Sequence, residues 1–230
     1  MFKYIIYTVI VVGIIYWIIL SYPGIFFEHK YEYNNMTISS HEPLKGDVDS
    51  IINKVNEKIL RAEFFNPDFK FHFYIVKSAG QYSFLTAFKG KDYFYVSPIN
   101  GNIFLVSADF EKKKANCKNC ESVSERELDI IMTSAAITEI IRKRLKFLKY
   151  IVSREWKNEG YGEYIAGETG YFEPKEICNE GETNAWLKFY ERKLAMEMLL
   201  IEDKYTFANI LDRNLSYESV ENRLKRRYCR

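Results

Sequence analysis

Two glutamates on successive predicted helices have the side chains best suited to chemistry in this sequence. Glu139 lies on the longest predicted helix, and Glu159 lies within the segment W-K-N-E-G-Y-G-E-Y at residues 156–164. If the two helices face each other, the two carboxylates could hold a hard cation such as Ca²⁺ or Mg²⁺, which prefers oxygen ligands. The alternative is that Glu139 pairs with Arg142 or Lys143 one helical turn away.

The segment at residues 156–164 is the most specific pattern in the sequence. From about residue 43 to residue 211 the chain resembles membrane or exported peptidases of the zincin superfamily, in the gluzincin (peptidase MA-like) branch. In that family a W-x-x-E-G-Y-x-x-Y helix supplies the third zinc ligand. An earlier helix carries H-E-x-x-H, with two histidine ligands one turn apart and a glutamate as general base. The resemblance assigns the third ligand position to Glu159.

The helix that should carry H-E-x-x-H has A-A-I-T-E instead. The resemblance places the two histidine positions at Ala135 and Glu139, since residues at i and i+4 share one helix face, and the base position at Ala136. Alanine has no lone pair and no titratable group, so the proton transfer, which contributes about 100- to 10,000-fold in rate, is lost. The sequence therefore predicts a degenerate site with Glu159 as a remnant metal ligand and Glu139 as a weaker candidate. We expect no cofactor, and zinc only if the site is still functional.

Other features of the sequence exclude several function classes. A net charge of +2 provides no field for nucleic acid. The hydrophobic content of 47% excludes a disordered chain. The three histidines form no H-x-x-x-H or H-x-H pattern, and neither a G-x-S-x-G elbow nor a phosphate-binding glycine-rich loop is present.

The N-terminus has the pattern of a membrane segment. No charged residue occurs from Tyr4 to Phe27, and about 20 apolar residues are enough to span a bilayer core. A cleaved signal peptide is the alternative, but no small-x-small cleavage site follows Leu20. We therefore predict an uncleaved single-pass anchor at residues 1–27. Lys3 favours an inside N-terminus, which places the following domain outside the cytoplasm.

The remaining sequence predicts an α+β fold, in which a stalk at residues 28–45 leads to one zincin-like domain at residues 46–230. The domain begins with a helix that Asp47 or Asp49 caps and that ends near Phe65. The predicted strands are 69–76, 82–88, 93–96 and 103–106, and the later helices are 124–150, one beginning near 156, 182–203, 206–213 and 217–228.

Cysteines and charged clusters suggest further contacts. Cys117 and Cys120 form a C-x-x-C pair in a polar loop, for which we expect a short disulfide, while a redox pair and half of a zinc knuckle are alternatives. Glu163 could form a salt bridge with Arg154. The basic stretch at residues 142–149 could contact anionic lipid, although such runs are more often solvated helix faces.

These patterns together predict a membrane-anchored pseudopeptidase, a catalytically inactive relative of metallopeptidases that binds a peptide or protein in the former substrate cleft. The first alternative is a metal-dependent hydrolase with an atypical site that uses Glu139, Glu159 and a third group. The second is a structural membrane-assembly protein whose aromatic-rich surface packs on a membrane partner.

Overall fold

The chain folds as an α+β structure with a mixed five-stranded sheet and helices packed against it. The computed structural model describes residues 2–90, 93–117, 125–153, 155–167, 172–178 and 185–229. The predicted α+β class is confirmed.

The main sheet has the strand order β1-β2-β3-β5-β4. Its strands are β1 (His29–Tyr33), β2 (Met36–Ser40), β3 (Phe71–Val76), β4 (Phe94–Val96) and β5 (Ile103–Val106). β2, β3 and β5 are parallel, whereas β1 and β4 run antiparallel to their neighbours at the two edges. The segment expected to form a stalk, residues 28–45, thus contains two strands of the sheet, and the side chain of Ile38 is fully buried.

A smaller sheet and eight α-helices complete the described structure. The small sheet comprises β6 (Ala108–Asp109), β7 (Lys114–Asn116) and β8 (Glu125–Glu127). The helices are α1 (Phe2–Ser21), α2 (Val48–Ile59), α3 (Ala79–Leu85), α4 (Leu128–Val152), α5 (Glu155–Ala166), α6 (Ala185–Glu197), α7 (Phe207–Asp212) and α8 (Tyr217–Tyr228), and a π-helical turn, Met198–Glu202, continues α6.

One predicted strand, residues 82–88, is wrong because most of it belongs to helix α3. Ser78 caps this helix, since its Oγ accepts a hydrogen bond from Gln81 N at 3.2 Å. Tyr82 and Leu85, three residues apart, are both buried on one helix face. The cap and this spacing outweigh the strand preference of the aromatic residues.

The C-terminal end of α1 contacts the rest of the fold through two side chains. Asn100 Nδ2 donates to the carbonyl oxygens of Leu20 and Ser21 at 3.1 and 3.2 Å. Tyr16 donates its hydroxyl to Phe84 O in α3 at 2.7 Å. Among the described residues we found no helix that combines the length and apolar character needed to span a bilayer.

A disulfide joins Cys178 to Cys229, a pairing that the sequence reasoning did not anticipate. It ties the short helical turn at Pro174–Cys178 to the end of α8. Cys117 is also disulfide-bonded, and its expected partner Cys120 lies outside the described residues.

Candidate functional site

Helix α5 lies unusually close to α4 on one side and α6 on the other. A Cβ at Gly162 would lie 2.8 Å from Ser134 Oγ in α4, and a Cβ at Gly160 would lie 2.6 Å from the carbonyl oxygen of Arg192 in α6. Both distances are shorter than side-chain contacts allow, so the two glycines permit the packing. Glycine is unfavourable inside a helix, but α5 runs unbroken through the segment.

A cavity of about 740 Å³ opens between α4, α5 and β4. Ser134 and Thr138 of α4 and Asn158, Glu159 and Glu163 of α5 form one polar wall, and Glu155 at the start of α5 also lines the cavity. Its aromatic wall consists of Phe88, Tyr93, Phe94, Tyr95, Tyr150 and Phe189. The structure therefore brings the predicted Glu159 to the lining of a cavity of ligand size.

The predicted ligand and base positions on α4 do not line this cavity. Ala135 and Ala136 are fully buried within the hydrophobic core. The pair at i and i+4 that does line the cavity is Ser134 and Thr138, one residue earlier than the resemblance placed it. A shift of one residue rotates a helix by about 100°, which is enough to move a side chain from the cavity to the core.

Glu139 is buried on another face of α4 and is paired within its own helix. Arg142 donates from Nε and Nη2 to the Glu139 carboxylate at 2.5 and 2.8 Å, and Lys143 Nζ lies 3.7 Å away. Burial raises the pKa of Glu139, and the two cations offset part of that rise. Of our two interpretations, the local ion pair is the arrangement that the structure has.

Both carboxylates in the polar wall of the cavity are paired with arginines from other elements. Glu163 accepts hydrogen bonds from Arg126 Nη2 of β8 at 2.5 Å and from Ser134 Oγ at 2.9 Å. Glu159 forms an ion pair with Arg192 of α6. The observed partner of Glu163 is Arg126. Arg154, the partner suggested from the sequence, lies outside the described residues.

Arg126 is held in place by more than its carboxylate partner. The residue is buried, and its guanidinium carbon lies 5.3 Å from the ring centre of Tyr93 and 5.1 Å from that of Phe189. These distances allow cation–π attraction on top of the charge pair. Arg126 therefore supplies the positive charge that neutralises the buried Glu163.

Other residues of segment 156–164 stabilise the surrounding helices. Lys157 Nζ donates to the carbonyl oxygens of Ile210 and Arg213, both at 2.6 Å, and thereby caps the end of α7. The hydroxyl of Tyr161 accepts a hydrogen bond from Glu63 N at 2.8 Å. The segment therefore holds α5 in the fold as well as lining the cavity.

Asn158 presents an unpaired acceptor at the cavity. Its Nδ2 donates to Ser153 Oγ at 2.9 Å, but its Oδ1 has no hydrogen-bond partner among the described residues, although Asn158 is only 7% exposed. An unpaired buried acceptor costs about 1–3 kcal/mol. A ligand that donates a hydrogen bond here would recover that free energy.

The edge strand β4 offers backbone groups to the same cavity. Ser97 N donates to Asn102 O at 2.9 Å, and Val106 N donates to Tyr93 O at 3.0 Å. In the antiparallel register of β4 and β5, every second residue of β4 therefore forms its backbone hydrogen bonds with β5. Phe94 and Val96 therefore direct their N–H and C=O groups away from β5, towards the edge that no described strand occupies. Both residues line the cavity.

The side chains of the cavity do not fit a catalytic zinc. Such a site needs three nitrogen, sulfur or carboxylate ligands and an open position. Here Ser134 Oγ donates to Glu163, and Thr138 Oγ1 donates to Ser134 O at 2.9 Å. Glu159 and Glu163 are each paired with an arginine. Two guanidinium charges at these carboxylates repel a divalent cation. Within the described ranges, no group of three or more His, Cys, Asp or Glu residues could hold a metal ion.

Comparisons of the chain with protein-family models, with curated proteins and with solved structures found no match. The resemblance to gluzincins therefore remains a prediction from the sequence of segment 156–164.

Sequence reasoning missed Ser134, Thr138 and Arg126, which line the cavity, and Arg192, which pairs with Glu159. The two hydroxyls had a signal, since they are one helical turn apart in the same stretch as Ala135. The two arginines had none, because they lie on β8 and α6, far along the chain from the carboxylates with which they pair.

Proposed function

We propose that this protein is a membrane-anchored pseudopeptidase that binds an extended peptide segment without cleaving it. One observation carries the non-catalytic part of this proposal. Glu159 and Glu163, the carboxylates of the E-G-Y-G-E stretch, are each neutralised by an arginine. A peptidase would need these groups free for a metal and for proton transfer.

Two features of the cavity favour a peptide as the ligand. The outward backbone groups of Phe94 and Val96 can pair with an added strand, a common mode of peptide recognition. The unpaired Oδ1 of Asn158 can accept a hydrogen bond from a peptide N–H. The aromatic wall then provides apolar contacts for alternate side chains of the bound peptide.

The membrane anchor is proposed from the sequence of the first 27 residues. The stretch from Tyr4 to Phe27 has no charge. Four consecutive aliphatic side chains of α1, Val9–Val12, are exposed, so apolar surface faces most directions around the helix. An anchor at residues 1–27 with the domain outside the cytoplasm gives these side chains an apolar environment.

Selection of peptides on the intact chain tests the binding proposal. The full chain in lipid nanodiscs is exposed to a displayed library of randomised extended peptides, and the affinity of a selected peptide is measured by fluorescence anisotropy. We expect Asn158→Ala to weaken binding about tenfold, the equivalent of one hydrogen bond to a buried acceptor. Hydrogen exchange of the Phe94 and Val96 amides should slow when the peptide binds.

The matched control is Asn53→Ala, because Asn53 is exposed on α2 and does not line the cavity. It should bind the selected peptide as the unmodified chain does. If Asn158→Ala and Asn53→Ala bind equally well, or if the amides of β4 are not protected, the proposed mode of binding is wrong.

A further inference from the structure

We propose that the domain makes a second membrane contact, in which the end of α4 and the turn between β4 and β5 dock on a bilayer that contains anionic lipid. This inference rests on the anchor proposed for α1 and adds a surface that is separate from it. We call this surface the docking face and define it by Phe88, Ile99, Leu148, Ile151 and Val152.

The docking face is apolar and strongly exposed. Phe88, Leu148 and Val152 are 80%, 76% and 79% exposed, and Ile99 and Ile151 are also exposed. Isolated exposed apolar residues are ordinary, but a group of large ones on one side of a molecule marks an interaction site.

A backbone kink creates the α4 part of the docking face. Lys146 has φ 60° and ψ 168°, which are not helical values. A positive φ is unfavourable for a residue with a Cβ. The kink changes the direction of the last turns of α4, where Leu148, Ile151 and Val152 lie.

Contacts around the cavity link Phe88 and Ile151 of the docking face to the turn that contains Ile99. Phe88 and Ile151 line one cavity together with Pro98, the neighbour of Ile99. Arg142 Nη1 also donates to Pro98 O at 3.4 Å, which joins α4 to the turn after β4.

The same turn joins the docking face to α1. Asn100, which follows Ile99, donates to the last carbonyl oxygens of α1. The C-terminal end of a membrane anchor lies at the bilayer surface. The turn that contains Ile99 is therefore held at the level of the lipid headgroups, and the docking face continues from it.

The charges around the docking face are complementary to anionic lipid. Lys89, Lys146 and Lys149 are exposed beside its apolar residues, and Glu155 is an acidic residue that lines the nearby cavity. Apolar side chains that enter the interface and lysines that contact headgroups are the combination typical of interfacial binding. Docking would also place the cavity next to the membrane, so that it would receive the membrane-proximal segment of a partner.

Site-directed spin labelling of the full chain tests this inference. No free cysteine occurs among the described residues, so Val152→Cys introduces a thiol that can carry a nitroxide. The labelled chain is placed in vesicles of phosphatidylcholine with phosphatidylglycerol. We expect the label to collide more often with oxygen, which concentrates in the bilayer, than with a water-soluble nickel complex.

A label at Leu60→Cys is the matched control, since Leu60 is 64% exposed at the end of α2 and is not part of the docking face. It should show the opposite, aqueous preference. The double variant Lys146→Gln/Lys149→Gln, which removes two positive charges, should shift the docking equilibrium reported by the Val152 label about 30-fold towards water.

Flotation of the same vesicles separates the two proposals. A chain that floats while its Val152 label is as aqueous as the Leu60 label retains the anchor but contradicts docking. A chain that fails to float contradicts the anchor and docking together. A Val152 label whose depth is unchanged by the two lysine substitutions contradicts the role of anionic lipid.

Discussion

Replacement of Arg126 by methionine is expected to lower the free energy of unfolding by about 3–5 kcal/mol. Glu163 is buried, and without the guanidinium it would retain only the hydrogen bond from Ser134. A carboxylate left without its counter-ion in the interior costs far more than the lost contact itself. Urea denaturation of the detergent-solubilised chain, followed by near-ultraviolet circular dichroism, measures the change.

The structure provides a matched control for this prediction. Arg223 makes two hydrogen bonds to Asp203, both 2.8 Å, but the side chains are 39% and 21% exposed. Arg223→Met should therefore cost about 1 kcal/mol or less. The double variant Arg126→Met/Glu163→Leu should recover most of the loss, because it removes both buried charges. Equal losses for Arg126→Met and Arg223→Met would contradict a buried ion pair at the cavity.

Loss of the disulfide between Cys178 and Cys229 is expected to have an effect of similar size. The two residues are 51 positions apart, and closure of a loop of that length restricts the unfolded chain by about 4 kcal/mol in the chain-entropy account. The bond also fixes α8, whose Tyr217 ring lies 5.6 Å from Trp156 of α5. Cys178→Ser/Cys229→Ser should therefore unfold at a lower denaturant concentration.

The single variants are the internal control for the disulfide. Either serine substitution opens the same bond, so Cys178→Ser, Cys229→Ser and the double variant should lose equal amounts of stability. If the losses of the two single variants add in the double variant, the two cysteines act separately and the pairing is wrong.

Local signals in the sequence predicted several elements well. The strand Ile103–Val106 and the helix Tyr217–Tyr228 have the predicted bounds. Asp47 caps α2 as expected, since its Oδ1 accepts a hydrogen bond from Ser50 N. These features depend on residues within a few positions of one another, which is the range over which turn, cap and periodicity patterns act.

The cavity could be predicted only in part. The ion pairs that neutralise Glu159 and Glu163 join residues that are far apart in the sequence. Glu159 was identified from its own segment. Arg126 lies 37 residues before Glu163, in a strand of the small sheet, and no local pattern connects the two. The resemblance placed the first ligand position at Ala135, whereas Ser134 is the residue that lines the cavity. This difference depends on how α4 packs against the core. Without a histidine at either motif position, the sequence does not show which residues of α4 face the cavity.

Zinc content together with peptide cleavage tests the central claim most directly. The full chain is purified, equilibrated with Zn²⁺, separated from free metal and measured by inductively coupled plasma mass spectrometry, and the same sample is incubated with a peptide library. Because arginines hold Glu159 and Glu163, we predict less than stoichiometric zinc and no cleavage above that of the Glu159→Gln variant. Stoichiometric zinc with peptide cleavage that Glu159→Gln abolishes would contradict the account and show that the cavity is an active site.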